Sequence, residues 1–495
     1  MRIADARLPL AVVAAVALLR VLFIPSAPLF GDEAFYAQIT DELMQHPFDP
    51  IPHFLGYPSA YKAPAGFFAY AAVIAPLTAL LPQLQVELAY RFAPAFYSIL
   101  SVFVFYAIAR ELVREREAVF AAIVFGLANE TLVWGNTFFL DSAFLFFQLA
   151  ATYCYFRALT SRRWLLPAAA FSALSALTKT YVAFLIPVTA FGLAFYRDRQ
   201  VLRDRAFLAS LLSAPLALVA YGAYFSIAVP GGQFEIFSSY LYDGAARLSY
   251  GASLPGRLAA NAADFFKALF PWGIISLLGA AALNMNKWQD KFAALWASVS
   301  SISLFVMLGY PWYYMPAVPP LALLASRPLS RLPWENKRLV AALCVAVFIV
   351  FSLTAFSRGV HSPDESALKE AGLDLRGEGR VLFLVDAGVP STLFYQFHGM
   401  KNPGFDGVTQ MVSNPVAPAS YTAFRTLTEI VWGTHANNTL ENATPAYVRG
   451  LIANASPDAV LLSARIYDVY SQDPLAGYPT SNNASGYYYV LKRAK

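Results

Sequence analysis

Long apolar stretches, separated by short turns that carry the charges, dominate the first 357 residues of the chain. A helix needs about 20 apolar residues to cross the hydrocarbon core of a membrane. The pattern therefore predicts an α-helical polytopic membrane domain over residues 1–357, with about eleven transmembrane helices. The predicted spans cover residues 8–24, 88–109, 117–135, 138–157, 164–178, 180–196, 206–229, 268–284, 291–309, 313–326 and 338–357.

The distribution of Lys and Arg orients these predicted spans. If the N-terminus is cytoplasmic, the cytoplasmic ends hold 18 Lys and Arg residues and the opposite loops hold five. Cytoplasmic loops of membrane proteins are enriched in these residues. An odd number of spans then places the C-terminal region outside. We therefore predict a multi-pass protein of the cytoplasmic membrane with an extracytoplasmic C-terminal domain.

Two long loops fall on the predicted outer side. The first, residues 25–87, contains the apolar run from Pro64 to Leu81. If that run were a span, every later Arg cluster would lie outside, so we predict an interfacial helix there instead. The second loop, about residues 230–267, opens with Pro230-Gly231-Gly232 and is long enough to form a mobile lid over a site.

The composition changes after Phe356, and residues 358–495 contain no predicted span. Short apolar runs predict buried strands over residues 380–386, 458–463 and 486–491, with a helix over 392–397. The tail is therefore predicted to be a small extracytoplasmic α/β domain. Sequons at Asn437, Asn442, Asn454 and Asn483 favour a glycosylated surface.

The overall composition agrees with a membrane protein. Hydrophobic residues make up 58% of the chain and charged residues only 14%, whereas a soluble domain carries about 25% charged residues. Cys154 and Cys344 both lie inside apolar segments. We therefore expect no disulfide framework and no cysteine metal site. The first apolar run resembles a signal peptide, but Pro25-Ser26-Ala27-Pro28 offers no convincing cleavage site, so we predict a retained helix.

An acidic segment, residues 31–38, follows the first predicted span, with Asp32 and Glu33 side by side. Carboxylates near a bilayer are costly unless they face water, a cation or a partner. One interpretation is a polar site at the membrane surface. The alternative is a helix cap, with Asp32 as the N-cap residue and Glu33 in the first turn. Charged residues at the same predicted depth elsewhere in the chain favour the site.

Those charged residues are Lys62, Arg91, Asp141 and Lys179. A single Lys at a helix end usually snorkels to water, but the recurrence of acids and cations at one depth predicts a composite site. Cationic side chains suit the phosphate of a lipid, and a carboxylate suits a general base. The set predicts group transfer from a lipid-linked phosphate donor, with the cations stabilising the leaving phosphate.

Five short motifs occur in a characteristic order. They are Gly-Asp-Glu-Ala-x-Tyr-Ala (31–37), Tyr-Lys-Ala-Pro (61–64), Tyr-Arg-Phe-Ala-Pro (90–94), Leu-Asp-Ser (140–142) and Leu-Thr-Lys-Thr (177–180). Their order and the predicted topology resemble the GT-C superfamily of membrane glycosyltransferases. The resemblance is strongest to the branch that holds protein O-mannosyltransferases and lipid A aminoarabinose transferases, and covers about residues 8–357. An aromatic-proline segment, Trp312 to Ala317, is also similar to this family.

The resemblance implies a dolichyl- or undecaprenyl-phosphate sugar as donor, with inversion at the anomeric carbon. The acceptor would be a protein, a glycan or a glycolipid, and no nucleic acid partner is expected. The implied catalytic residues are Asp32, Glu33 and Asp141. The implied donor phosphate ligands are Lys62, Arg91 and Lys179, the last two as phosphate or structural partners.

The chain departs from the family around Lys62. Aminoarabinose transferases have an acidic residue before this Lys and a proline after it, whereas this chain has Tyr61 and Ala63. The departure weakens a metal site built on that acid. His46 and His53 remain in the loop, and His53 is a weak candidate ligand, although a polar loop histidine is the favoured interpretation. The sequence leaves the use of a divalent metal open.

Two other classes of function are alternatives for this sequence. A transporter or flippase of a lipid-linked or anionic substrate would typically show internal repeats and sites at the membrane midplane, whereas the charges here cluster at one face. A receptor or scaffold would act through the tail, so that truncation after Ser357 would abolish function.

Overall fold

The computed structural model describes residues 3–29, 31–49, 51, 53–54, 57–58, 64–179, 184–228, 262, 271–306, 311–332, 363–378, 381–384, 389–398 and 444–494. The chain divides into two compact units. The first comprises Met1–Pro25 and Ala60–Ser357, and the second comprises Ser26–Ser59 and Arg358–Lys495. The described part of the first unit is helical, and the second combines helices with sheets.

The α-helices are numbered in chain order. They are α1 (Ile3–Leu19), α2 (Asp32–Gln45), α3 (Ala65–Leu80), α4 (Val86–Leu112), α5 (Glu115–Leu127), α6 (Asn129–Val133), α7 (Asp141–Ala158), α8 (Leu165–Ala176), α9 (Leu185–Arg197), α10 (Arg205–Leu211), α11 (Ser213–Ala228), α12 (Trp272–Ala281), α13 (Trp288–Val306), α14 (Val318–Ser330), α15 (Pro363–Asp374), α16 (Val389–Phe397), α17 (Pro445–Ala455) and α18 (Ala464–Tyr470). Short 3-10 helices cover Arg20–Phe23, Arg162–Trp164, Arg199–Arg203 and Pro311–Ala317. Helices α2 and α15–α18 belong to the second unit.

Each predicted span up to residue 326 contains helix in the structure, although several of these helices are shorter than predicted. Among the described residues, α4 alone is long and apolar enough to cross a membrane by itself. Helices α10 and α11, bent by 50° at their junction, would together make one more. The total of about eleven spans therefore stays a prediction, and residues 338–357 lie outside the described part of the chain.

Small residues allow close helix packing in the first unit. A Cβ on Gly279 of α12 would overlap the carbonyl oxygen of Leu324 in α14, and small residues at helix contacts are typical of membrane proteins. Aromatic side chains fill the core, with the rings of Phe105 and Phe125 at a centroid distance of 4.8 Å. Large apolar side chains also remain exposed, among them Leu166 and Ile227, as expected of a surface that faces lipid.

The apolar run in the first outer loop forms helix α3, as the sequence predicts. Its first half is buried, whereas Leu80 at its end is exposed. Its location at the membrane interface stays a prediction. The predicted lid over residues 230–267 lies outside the described residues, apart from position 262.

The strands of the second unit are β1 (His53–Phe54), β2 (Tyr57–Pro58), β3 (Val381–Leu384), β4 (Ala459–Ser463), β5 (Thr480–Ala484) and β6 (Tyr488–Lys492). They form a two-stranded hairpin, β1-β2, and a four-stranded sheet of order β3-β4-β6-β5. Strand β3 runs parallel to β4, and the other pairs are antiparallel. The three apolar strands and the helix predicted for the tail are present.

Strand β5 was not predicted, because its sequence, Thr-Ser-Asn-Asn-Ala, is polar. It lies at the edge of the sheet and pairs only with β6, with an irregularity between Thr480 and Asn482. An edge strand leaves much of its surface in water, so polar side chains cost little there. The apolar periodicity that marks a buried strand is therefore absent from its sequence.

The acidic helix α2 belongs to the second unit, together with the C-terminal tail. The domain division drawn from the sequence placed this segment with the transmembrane domain instead. In the structure α2 packs on α16 of the tail. Contacts between segments so distant in sequence leave no local pattern, which explains the difference.

Substitution of Gly279 by Ala should destabilise the first unit, because the added methyl group must push α12 away from α14. Overpacking of this kind costs about 1–3 kcal/mol, measured as a lower unfolding temperature of the purified protein in detergent. Gly450 of α17 provides the control, since a Cβ there meets nothing within 4 Å. Gly450→Ala should be neutral or stabilising. An equal effect of the two substitutions would contradict the packing described.

Candidate active site

Asp32 and Glu33 occupy the first turn of α2. Gly31 precedes them as the N-cap residue with φ of +54°, in a region that favours glycine. The alternative in which Asp32 is itself the N-cap is therefore not what the structure shows. Glu33 is buried, whereas Asp32 is half-buried. The positive end of the helix dipole favours acidic residues at these positions.

Two side chains of α16 hold the backbone that leads into Asp32. The amide of Leu29 donates a hydrogen bond of 2.8 Å to the hydroxyl of Tyr395. The amide of Gly31 donates one of 3.2 Å to the hydroxyl of Ser391. Residues four apart lie on one face of a helix, so a single face of α16 anchors this segment. Nothing in the sequence singles out these anchors.

Asp141 and Lys179 form a buried ion pair in the first unit. Asp141 is the first residue of α7, and Lys179 follows the end of α8, where its amide donates to the carbonyl of Ser175 at 3.0 Å. The Lys179 ammonium donates to an Asp141 carboxylate oxygen, and the side chains are only 9% and 6% exposed. The structure thus brings together two charges that the sequence predicted at one depth.

Helix α3 packs beside this pair. The amide of Ala65 donates to the carbonyl of Leu177 at 3.0 Å, two residues before Lys179. The hydroxyl of buried Tyr70 donates to the carbonyl of Phe139, two residues before Asp141. The sequence analysis missed Tyr70, although a single hydroxyl in the first half of an otherwise apolar helix was an available signal. Tyr70 and Ala65 fasten α3 to the two turns that carry the charges.

Aromatic rings cover the same turn. The ring of Phe138 lies 5.1 Å from that of Tyr70 and 5.2 Å from that of Tyr90, measured between centroids. All three side chains are fully buried. Their packing excludes water from one side of the Asp141 turn, and lower polarity strengthens the attraction between the two charges.

Arg91 is buried in α4, and its Nη1 donates to the carbonyl of Pro25 at 3.0 Å. Contact of Arg91 with a donor phosphate stays a prediction. Lys62 and the side chain of His53 lie outside the described residues. In the described part, no group of three or more His, Cys, Asp and Glu side chains could hold a metal ion.

The comparison with protein families gives one match. Residues 30–235 match the family of dolichyl-phosphate-mannose-protein mannosyltransferases. No curated protein sequence matches the chain significantly. The matched segment is less than half of the chain, but it includes Asp32, Glu33, Lys62, Arg91, Asp141 and Lys179.

Solved structures with the same fold include ArnT from Cupriavidus metallidurans bound to undecaprenyl phosphate. It is 16% identical, with a TM-score of 0.70 over 97% of each chain. The oligosaccharyltransferase AglB from Archaeoglobus fulgidus, in complex with an inhibitory peptide and a dolichol-phosphate, is 12% identical. Its TM-score is 0.56 over 94% of this chain and 70% of that chain. The mycobacterial arabinofuranosyltransferase AftD is 14% identical, with a TM-score of 0.53 over 98% of this chain and 40% of that chain.

All three are GT-C glycosyltransferases. The chain therefore has the GT-C fold, and the resemblance drawn from its motifs is confirmed.

Removal of one partner of the buried pair should be far more damaging than removal of both. Asp141→Asn or Lys179→Gln alone leaves an uncompensated buried charge, which costs about 3–5 kcal/mol. The double variant should recover a large part of that loss. The measurement is a double-mutant cycle on unfolding in detergent.

The control cycle uses Arg449 and Asp473, which lie 2.8 Å apart with both side chains 43% exposed. Exposed pairs couple by about 1 kcal/mol or less. If the losses at Asp141 and Lys179 are additive, with a coupling free energy no larger than that of the control pair, the buried ion pair is contradicted.

A pH dependence should arise at Asp41 of α2, whose carboxylate lies 2.8 Å from Nδ1 of His398. Burial raises the pKa of Asp41, although the hydrogen bond and charge of His398 oppose the rise. An Asp pKa that is raised in the folded state stabilises the fold at pH values below the ordinary pKa of about 3.9. This stabilisation is lost as the pH rises through the raised pKa.

Asp41→Asn should therefore gain stability relative to the wild type as the pH rises from about 4 towards neutrality. Unfolding temperatures at closely spaced pH values measure the effect. Asp468→Asn, at an exposed position of the same unit, is the control and should follow the wild type. If the unfolding temperatures of Asp41→Asn and the wild type differ by the same amount at every pH, the raised pKa of Asp41 is refuted.

Proposed function

We propose that this chain transfers a sugar from a polyprenyl-phosphate donor to an acceptor on the extracytoplasmic side of the membrane. The observation that carries the proposal is the family match over residues 30–235, because this segment contains all the residues to which the sequence analysis assigned chemistry. The family description specifies dolichyl-phosphate-mannose and protein. Mannose is therefore the first sugar to test and a protein hydroxyl the first acceptor, ahead of a glycan or glycolipid.

The solved GT-C structures support the chemical class of the donor. ArnT was solved bound to undecaprenyl phosphate, and AglB in complex with a dolichol-phosphate. Each ligand is a phosphate on a long isoprenoid chain, which is what remains when a sugar leaves such a donor. We extend this class of donor to the present chain.

We assign the role of general base to Asp32. Its carboxylate would take the proton from the acceptor hydroxyl as the acceptor oxygen attacks the anomeric carbon. The bond from that carbon to the phosphate oxygen breaks, and its electron pair leaves with the polyprenyl phosphate. Attack from the face opposite the phosphate inverts the anomeric configuration. The N-terminus of a helix favours an acidic side chain at this position, and Asp32 is only half-buried.

We assign the stabilisation of the leaving phosphate first to Lys62. The Lys179 ammonium is paired with Asp141, and an Arg91 guanidinium nitrogen donates to the Pro25 carbonyl. Because Lys179 and Arg91 have these protein partners, we propose them only as secondary ligands of the phosphate, after Lys62. A cation at the leaving oxygen lowers the barrier because negative charge grows there in the transition state.

Asp32→Asn should reduce transfer by about 100-fold or more, the usual contribution of a general base. The assay supplies purified full-length protein with radiolabelled dolichyl- and undecaprenyl-phosphate mannose and a Ser/Thr peptide, with and without chelator. Glu42→Gln, at the other end of α2, is the control and should retain activity.

An unchanged unfolding temperature would show that Asp32→Asn is folded. Retained transfer by this variant would remove Asp32 from the mechanism. Movement of donor across sealed vesicles without product would instead favour the transporter.

A further inference from the structure

A polar cavity lies in the first unit, with a volume of about 620 Å³. It is lined by the ends of α4 and α14 and the starts of α5 and α13, including Glu111, Arg114, Arg116, Lys287, Arg327 and Arg331. Sites for small ligands typically measure about 300–1,000 Å³. The cavity is therefore large enough for a phosphorylated head group.

The cavity lies far from the Asp141–Lys179 pair. Helix α7 runs from Asp141 to Ala158, and the rise of 1.5 Å per residue places Arg157 about 24 Å along the axis from Asp141. Arg157 contacts Glu111 of the cavity wall at 3.6 Å. The cavity thus belongs to the opposite ends of the helices, those that the distribution of Lys and Arg predicts to be cytoplasmic.

Most of the acidic side chains in the wall are already committed. Asp290 binds Arg327, with Nη1 at 3.1 Å, and accepts a hydrogen bond of 2.7 Å from the amide of Asn284. Glu111 lies 3.6 Å from Arg157 and 3.8 Å from Arg197, and neither Arg lines the cavity. Glu111 and Asp290 therefore each have a close Arg partner, and Lys287 adds a weaker electrostatic attraction at Asp290.

The remaining charge is strongly positive. Arg114, Arg116, Lys287 and Arg331 share the wall with Glu117. In the part of the chain that the structure describes, Arg114, Lys287 and Arg331 make no ion pair with a carboxylate. Like charges gathered around one concavity repel each other and attract an anion.

We propose that this cavity binds a phosphate-bearing anion at the cytoplasmic face. Arg offers a planar fork to phosphate oxygens and Lys a point charge. Basic pockets between membrane helices on the cytoplasmic side suit the head groups of anionic lipids. The phosphate could come from such a lipid or from a soluble phosphate. In either case, binding would relieve the repulsion and hold the ends of α4 and α14 to the start of α13.

The test uses the full-length protein in nanodiscs of phosphatidylcholine, with or without phosphatidylglycerol, and in a third arm with inorganic pyrophosphate. Native mass spectrometry counts retained lipid, and unfolding temperature reports stabilisation. The variant R114Q/K287Q/R331Q removes the uncommitted cations. Its matched control, R163Q/R203Q/R205Q, removes three exposed Arg residues that the sequence predicts on the same face but that do not line the cavity.

The wild type and the control should retain phosphatidylglycerol or bind pyrophosphate and gain stability. The triple variant should bind about 100-fold more weakly, since each Lys or Arg near an anionic head group contributes about fivefold. If it fails to fold, Lys287→Gln repeats the test with an effect of about fivefold. Stabilisation by the lipid alone, or by pyrophosphate as well, identifies the source of the phosphate.

Two results would overturn the proposal. One is equal binding by the wild type and the triple variant. The other is no stabilisation of the wild type by either probe. Neither readout involves sugar transfer, so failure here leaves the proposed function untouched, and loss of that function leaves this site in place.

Discussion

The ion pair between Asp141 and Lys179 is the interaction on which the first unit depends most. Both charges are withdrawn from water, so each is tolerable only because the other is present. The pair joins the start of α7 to the end of α8, and α3 is fastened to the same two turns through Ala65 and Tyr70. Two of the motifs that resemble the GT-C superfamily, residues 140–142 and 177–180, thus meet in one electrostatic contact. This pairing explains how these two charged residues are tolerated in an apolar part of the chain.

The second unit positions the acidic segment that contains Asp32. The φ of Gly31 turns the chain into α2, and the dipole of that helix stabilises Asp32. Ser391 and Tyr395 of α16 hold the preceding backbone from the far end of the sequence. Residues of the tail therefore contribute directly to the surroundings of the acidic segment. This arrangement gives the C-terminal region a structural reason to accompany the predicted transferase.

Local patterns predicted the parts of this structure that local physics determines. Within the described residues the apolar runs contain helices, and the runs around Val381, Ala459 and Tyr488 form strands. The shared depth of Asp141 and Lys179 was readable because charges in an apolar chain are rare. Strand β5 could not be predicted, because an edge strand tolerates polar residues. The anchors Ser391 and Tyr395 could not be predicted either, because long-range tertiary contacts leave no periodic pattern in the sequence. The distribution of Lys and Arg likewise indicated a side of the membrane, but not that five cationic side chains line one cavity.

The central claim is that a sugar leaves a polyprenyl phosphate by direct displacement. The most direct test is to measure product stoichiometry and anomeric configuration in one reaction, with purified protein, a lipid-linked sugar and an acceptor. The account predicts one polyprenyl phosphate released for each sugar transferred, with the configuration of the product inverted relative to the donor. Retention of configuration, or release of lipid phosphate without a glycosylated product, would contradict it.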